Sequence, residues 1–150
     1  MENELPKRKP TRLKNFDYST PGAYFITMCT KNRKCILSRI VVGAIHESPA
    51  LELTGYGKIV DTIINTIPGR FNAEIKNYVI MPNHIHFIIH IKNENDLRAI
   101  RESPLQQRLG IPQIIGYIKM NASKKIHKCY GNIDIWQRSF HDHIIRDIKD

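Results

Sequence analysis

An alternation of apolar residues and histidines, broken at Ile88, marks residues 84–91 of MPNHIHFIIHI (81–91). Ile85, Phe87, Ile89 and Ile91 share one parity, and His84, His86, Ile88 and His90 share the other. Successive side chains of an extended strand point to opposite faces, so one face is core and the other presents imidazoles. The run AEIKNYVIM (73–81) precedes it across Pro82-Asn83, which predicts an antiparallel hairpin. GAYFITMCT (22–30), rich in aromatic and β-branched residues, predicts a first strand, and the basic KNRK that follows reads as a turn. Over 55–67, Ile59, Val60, Ile63, Ile64 and Ile67 recur at steps of three and four, the pattern of an amphipathic helix, which PGRF then stops. A second such stripe, Ile114, Ile115, Ile118, Ala122 and Ile126, predicts a helix over 111–128 with Lys119, Lys124, Lys125 and Lys128 on or near its other side. IDIWQRSF (133–140) reads as a last strand, and HDHIIRDIKD (141–150) as the start of something helical.

The order β, α, β, β, α, β is that of an α+β, ferredoxin-like domain, a four-stranded antiparallel sheet with both helices on one face. Ile85, Phe87 and Ile89 would then lie under the helices and the histidine face would be open. Residues 1–15, polar, basic and punctuated by proline, read as a flexible arm, and the polar stretch 92–110 as a loop or frayed turn. A near repeat, AIHESPAL (44–51) and AIRESPLQ (99–106), lacks matching flanks and a period holding a whole supersecondary unit, so both copies read as loop inserts.

Charge narrows the range of partners. Of 150 residues, 23 are Lys or Arg and 14 Asp or Glu, a net charge of +9, which points to a polyanion, nucleic acid first. A membrane surface is the competing polyanion, but no apolar run approaches the ~18 to 20 residues of a spanning helix and no signal peptide opens the chain. The expectation is a cytoplasmic protein of one domain. Cys29, Cys35 and Cys129 are odd in number and form no CxxC pair, so neither a disulfide framework nor a cysteine zinc site is indicated.

Two histidines at i and i+2 of a strand stand on one face about 6 to 7 Å apart at Cα, from which both imidazoles can converge on one metal ion. Any histidine pair on a half-exposed strand has this geometry. Spacing alone therefore leaves open whether His84 and His86 are half of a metal site or a solvated strand face.

In this setting the residues resemble the single-tyrosine HUH transposases of small bacterial insertion sequences, particularly the branch associated with repetitive extragenic palindromes (REP). The resemblance covers most of the chain, through GAYFITMCTKNRKCIL (22–37), YVIMPNHIHFIIHI (78–91) and IWQRSFHDHIIRD (135–147). Its specific part is His84-Ile85-His86 preceded by Met-Pro-Asn. The resemblance implies that His84 and His86 hold a divalent metal, commonly Mg2+ or Mn2+, which polarises a scissile DNA phosphate. Imidazole ligands by themselves favour zinc or a similar ion, so ligand chemistry leaves the metal's identity open. It further implies a single-stranded DNA substrate beside an imperfect hairpin, attacked by a tyrosine to leave a 5′-phosphotyrosine and a free 3′-hydroxyl.

The family's nucleophile follows the IIRD segment on a helix, in a Tyr-Ile-x-x-Asn-Pro pattern. This chain stops at Asp150 before any such pattern, so the resemblance implies truncation ahead of that helix and an apolar patch left near Ile144, Ile145 and Ile148. Family members pack that helix against the domain or a partner subunit, which keeps a homodimer among the assemblies it allows. Tyr117 in YIKMN has the same spacing to Asn121, but its flanks, IIGYIKMNASKKIH, resemble the family's upstream basic helix, so it stands as a weak candidate. Tyr18, Tyr24, Tyr56, Tyr78 and Tyr130 read as strand, loop or core-edge residues.

For DNA contacts the candidates are Lys119, Lys124, Lys125, Arg138 and Arg146, each equally able to sit on a solvated face or in a surface ion pair. His90 is two residues too far along the strand to join the pair. His141 and His143 form a second His-x-His that reads as a solvated strand end, with Asp142 a cap or positioning residue. The expected activity is transposase-type binding, nicking and strand transfer, the alternative being a DNA-binding remnant unable to nick. An RNA-binding ferredoxin-like module would place aromatics on the open face to stack bases, and a two-histidine phosphoesterase would need two His-x-Thr or His-x-Ser motifs. The chain has histidines on that face and does not hold two such motifs, His46-Glu47-Ser48 standing alone.

Overall fold

A computed structural model describes residues 13–42, 50–93 and 110–146. The expected arm up to residue 12, most of the first copy of the near repeat, all of the second, and Ile148 fall outside the described residues. Four strands, β1 (Gly22–Cys29), β4 (Ala73–Ile80), β5 (His84–Ile91) and β6 (His141–Ile145), form an antiparallel sheet in the order β4-β5-β1-β6. Helices α1 (Gly55–Ile64) and α2 (Ile111–Tyr130) pack on each other and on one face of that sheet. This is the ferredoxin-like arrangement the hydrophobic periods call for. A short hairpin of β2 (Ser38–Val41) and β3 (Ala50–Leu53) is inserted between β1 and α1.

Parity in β5 decides the layering. Ile85, Phe87 and Ile89 are at most 1% exposed, whereas His84, His86, Ile88 and His90 are half-buried on the face away from the helices. Ile63, Ile64, Ile114, Ile115, Ile118, Ala122 and Ile126 of the helices join the same apolar cluster. Each large side chain so buried contributes roughly 1.5 to 3 kcal/mol of transfer free energy, enough to fix the register, because a slip of one residue would turn the isoleucines outward.

Local signals set the helix ends. Thr54 caps α1, its Oγ1 accepting from the Gly57 amide at 3.2 Å while its hydroxyl also reaches the carbonyls of Ile36 and Leu37. Gly57 lies so close to the β2 entry that a Cβ there would overlap the Leu37 carbonyl oxygen. Gly110 precedes α2, with Pro112 in its first turn. At the far end Gly131 has φ 87° and returns its N–H to His127, with His127 and Lys128 in the last turn where the helix dipole favours cations. On the sheet side, Tyr78 donates to Asp61 at 2.6 Å and accepts from Asn65 at 3.2 Å, which ties β4 to α1.

Two expectations about the C-terminal region are corrected. Residues 133–140 are not a strand: they make one isolated bridge, Trp136 with Thr30, together with backbone bonds from Lys31 to Ile135 and from Gln137 to Cys29. The Lys119 amine takes the carbonyls of Gln137 (2.6 Å) and Ser139 (2.9 Å), acceptors that a continuing ladder would need. The last strand is instead His141–Ile145, read above as helical, which pairs along β1 from Thr27↔His141 to Ala23↔Ile145. Polar residues on an exposed edge are what an edge strand carries, and they mask the period-two signal. Ile144 packs against the core in this arrangement rather than contributing to an exposed patch.

The hairpin also went unread. It has a cross-strand Arg39–Glu52 ion pair at 2.8 Å, solvated on both sides and so of little energetic weight. Among the described residues no helix is long and apolar enough to cross a membrane.

Candidate functional site

The site grows from the parity of β5 and the register of its neighbours. His84 and His86 stand side by side on the open face, ring centroids 4.6 Å apart at an interplanar angle of 74°. Each has one nitrogen occupied. His84 Nδ1 is 2.6 Å from Asn83 Oδ1, an atom that can only accept, so the proton sits on Nδ1 and the Nε2 lone pair is left outward. His86 Nδ1 is 2.9 Å from Thr27 Oγ1, a hydroxyl that can donate or accept. Phe25 stacks on His86 at 5.2 Å and fixes the ring plane. Burial, then the neighbouring His86 and Arg33, hold the His84 pKa below its ordinary value and keep that imidazole neutral, the form that ligates metals.

Two oriented imidazoles side by side, His84 neutral with its Nε2 lone pair outward, fit a divalent ion. Two imidazoles do not complete a coordination sphere, and no third His, Cys, Asp or Glu joins them among the described residues. An ion held here would keep positions open for phosphate oxygens or water.

β1 and β6 extend the same face. Thr27 lies between His86 of β5 and His141 of β6, and Phe25 between Ile88 and His143. The second His-x-His thus shares the sheet face of the first, with a whole strand between them, and Asp142 points the other way. His90 pairs with Ala23 and Glu74 at the far end of β5.

The remaining candidates are dispersed. Tyr117 sits in the helix layer, edge-on to Phe71 (5.1 Å), under the Arg70 guanidinium (5.2 Å) and 3.4 Å from Thr66 Oγ1. The sheet separates it from the imidazoles. Lys119 anchors residues 137–139, and Lys124 and Lys125 lie exposed on α2, also on the helix side. Arg146 follows β6, exposed. Arg138 is the one candidate cation brought towards the histidine end, where it lines a cleft with Arg33 and Trp136.

Thr27, Asn83, Arg33 and Trp136 were not singled out from sequence. Asn83 had a signal, its place in Met-Pro-Asn before the first histidine, and Arg33 had the basic turn. Thr27 is legible only from the β1–β5 register, which no local pattern encodes.

No protein-family model matches the chain. An uncharacterised protein of Haemophilus influenzae is 35% identical over 152 residues, covering 95% of this chain and 81% of that protein. A second Haemophilus influenzae protein, described as a REP-associated tyrosine transposase, is 34% identical over 73 residues, 47% of this chain and 39% of its own length. Among solved structures, a REP-associated tyrosine transposase bound to a REP hairpin superposes with a TM-score of 0.59 at 21% identity, over 92% of this chain and 64% of that one. The chain therefore spans just under two thirds of the solved transposase and a smaller part of the second relative. In partial sequence identity the chain is similar to one REP-associated tyrosine transposase, and it shares its fold with another.

Proposed function

We propose that this chain is a transposase-type DNA-binding protein that engages single-stranded hairpin DNA in the cytoplasm and presents one phosphate to a divalent ion on His84 and His86. The observation that carries this reading is the pair of imidazoles on the open sheet face, each fixed through Nδ1 by Asn83 or Thr27. A bound divalent ion supplies charge that polarises a phosphodiester. The protein's own part is to orient both rings, keep His84 neutral, and offer Arg33 and Arg138 beside the site as phosphate partners. The net charge of +9 adds a sequence-independent attraction for the DNA backbone. The solved relative's hairpin supports the choice of nucleic acid.

Whether this polypeptide also nicks turns on a tyrosine, and one observation favours binding without nicking. All six tyrosines lie away from the histidine face. Tyr24 is 1% exposed in the core, Tyr18 packs beside it, Tyr78 reaches Asp61 of α1, Tyr56 and Tyr130 stack on each other, and Tyr117 lies against Phe71. A phosphotyrosine step at the imidazoles needs a nucleophile from outside these 150 residues. The test is incubation with labelled REP-type hairpin DNA and Mn2+, followed by denaturing and native gels. The expected result is a native shift without a band that survives denaturation. A metal-dependent covalent adduct would overturn the binding-only reading and make Tyr117 the first residue to change.

A further inference from the structure

At the end of β1, next to His84, a cleft of about 450 Å3 opens between the 3-10 turn Lys31–Arg33 and the segment 134–138. Its lining is Lys31, Asn32, Arg33, Asp134, Trp136, Gln137 and Arg138. Lys31 is neutralised by Asp134, whereas Arg33 and Arg138 have no carboxylate partner among the described residues. Two unpaired guanidiniums, two carboxamides and one indole make a set suited to a phosphate and a flat, polar ring.

The cleft is also built rather than incidental. Asn32 and Arg33 both hold positive φ, 54° and 55°, a left-handed backbone that is uncommon for arginine and that persists only where the surroundings enforce it. Those surroundings are visible. Lys31 N–H donates to Ile135 O, Gln137 N–H to Cys29 O, and Thr30 bonds Asn83 O through both its amide and its hydroxyl. From below, the indole N–H of Trp136 donates to Lys119 O at 3.2 Å, and the Lys119 amine holds Gln137 O and Ser139 O. Asn83 thus braces the turn through its carbonyl and orients His84 through its side chain, coupling cleft and imidazole pair through one residue.

We infer that this cleft is a mononucleotide subsite for single-stranded DNA, taking the phosphate between Arg33 and Arg138 and the base against Trp136. The inference rests on the DNA-binding reading above and adds to it where the unpaired strand lies: leaving the histidine face over the 31–33 turn. Single strands suit the site because a paired base has no free face to offer an indole, and stacking tolerates any base.

Trp136 is the only tryptophan in the chain, so its emission reports on this cleft alone. Oligothymidylate of six residues is titrated into the protein while Trp136 emission and the anisotropy of a label on the DNA are followed together. The expected result is saturable quenching that tracks the anisotropy. In R33Q/R138Q both curves should move to at least ten-fold higher DNA concentration, and the salt slope should fall by about 1.4, two contacts at about 0.7 each. Binding by anisotropy with Trp136 emission unchanged, or with R33Q/R138Q like the wild type, would overturn the subsite and leave DNA binding standing. No binding of the oligomer or of hairpin DNA would overturn both. Because Arg33 and Arg138 are exposed, their replacement spares the core, and circular dichroism confirms that the variant is folded.

Discussion

Replacing Lys119 by methionine separates two readings of one side chain. From charge and helix position Lys119 is a phosphate contact; in the structure its amine donates to Gln137 O at 2.6 Å and Ser139 O at 2.9 Å. A hydrogen bond from a charged group contributes about 1.5 to 3 kcal/mol when its acceptor is removed from water. Gln137 is exposed and its carbonyl rehydrates readily, while Ser139 is half-buried and does so only in part. Methionine keeps an unbranched apolar stem at this position and removes only the amine. One partly compensated bond and one fully compensated bond leave a net loss of about 2 kcal/mol, which for a chain of this length lowers Tm by roughly 4 to 8 °C. Calorimetry gives Tm, and oligonucleotide binding at several salt concentrations gives the number of phosphate contacts. The structure requires a lower Tm with an unchanged salt slope. A Tm within about 1 °C of wild type, together with a slope reduced by about 0.7, would show that the amine serves DNA rather than residues 137–139.

Other outcomes follow from the same contacts. Gly57→Ala should destabilise, because a Cβ would overlap the Leu37 carbonyl oxygen, a backbone atom that Thr54 also holds; overpacking costs about 1 to 3 kcal/mol, more than the roughly 1 kcal/mol gained in helix propensity, and a rise in the urea midpoint would contradict this. In metal-free protein, NMR titration should find the His84 pKa below 6.5. Since the folded state binds that proton less readily than the unfolded one, this contribution to stability is complete above about pH 6.5 and is lost as pH falls towards the folded value; stability rising as pH drops through that window would argue against it. Changing His84 and His86 together to alanine should abolish Mn2+ binding measured calorimetrically without lowering Tm by more than a few degrees, and retained binding would remove the pair as the ion's ligands.

The parts of the fold that were legible in the sequence are those governed by local periods. Alternation in β5 assigned both faces correctly down to the residue, and the isoleucine stripes located α1 and α2, because burial against one opposing layer imposes a single period on each element. The last strand was not legible. His141–Ile145 is short, lies at the sheet edge and carries His-Asp-His, so only its pairing with β1 reveals it. The segment before it has apolar residues at alternate positions, yet Lys119, eighteen residues upstream of Gln137, takes the carbonyls a strand would use. That competition is tertiary and leaves no trace in the pattern of 133–140. The site divides the same way: the His84–His86 pair follows from parity, whereas Thr27 and Arg33 depend on register and on a left-handed turn.

The division of labour between the two sheet faces bears on how the chemistry can be organised. Apolar area drives the helices onto one face, and the aromatic side chains that stabilise that layer include five of the six tyrosines, Tyr130 being exposed and stacked on Tyr56. A tyrosine buried this way is a poor nucleophile. Tyr24 and Tyr78 have pKa values pushed above the ordinary tyrosine range, chiefly by burial, so their phenolates are even less accessible than at the surface. The open face carries the opposite inventory, imidazoles and, at its end, guanidiniums. On the proposed reading, such a face would hold a phosphate beside a bound cation and position the strand on either side. Among the described residues it carries no tyrosine. On the proposed reading, binding and covalent transfer are physically separable, and a nucleophile supplied in trans would meet a phosphate already oriented by the histidine face.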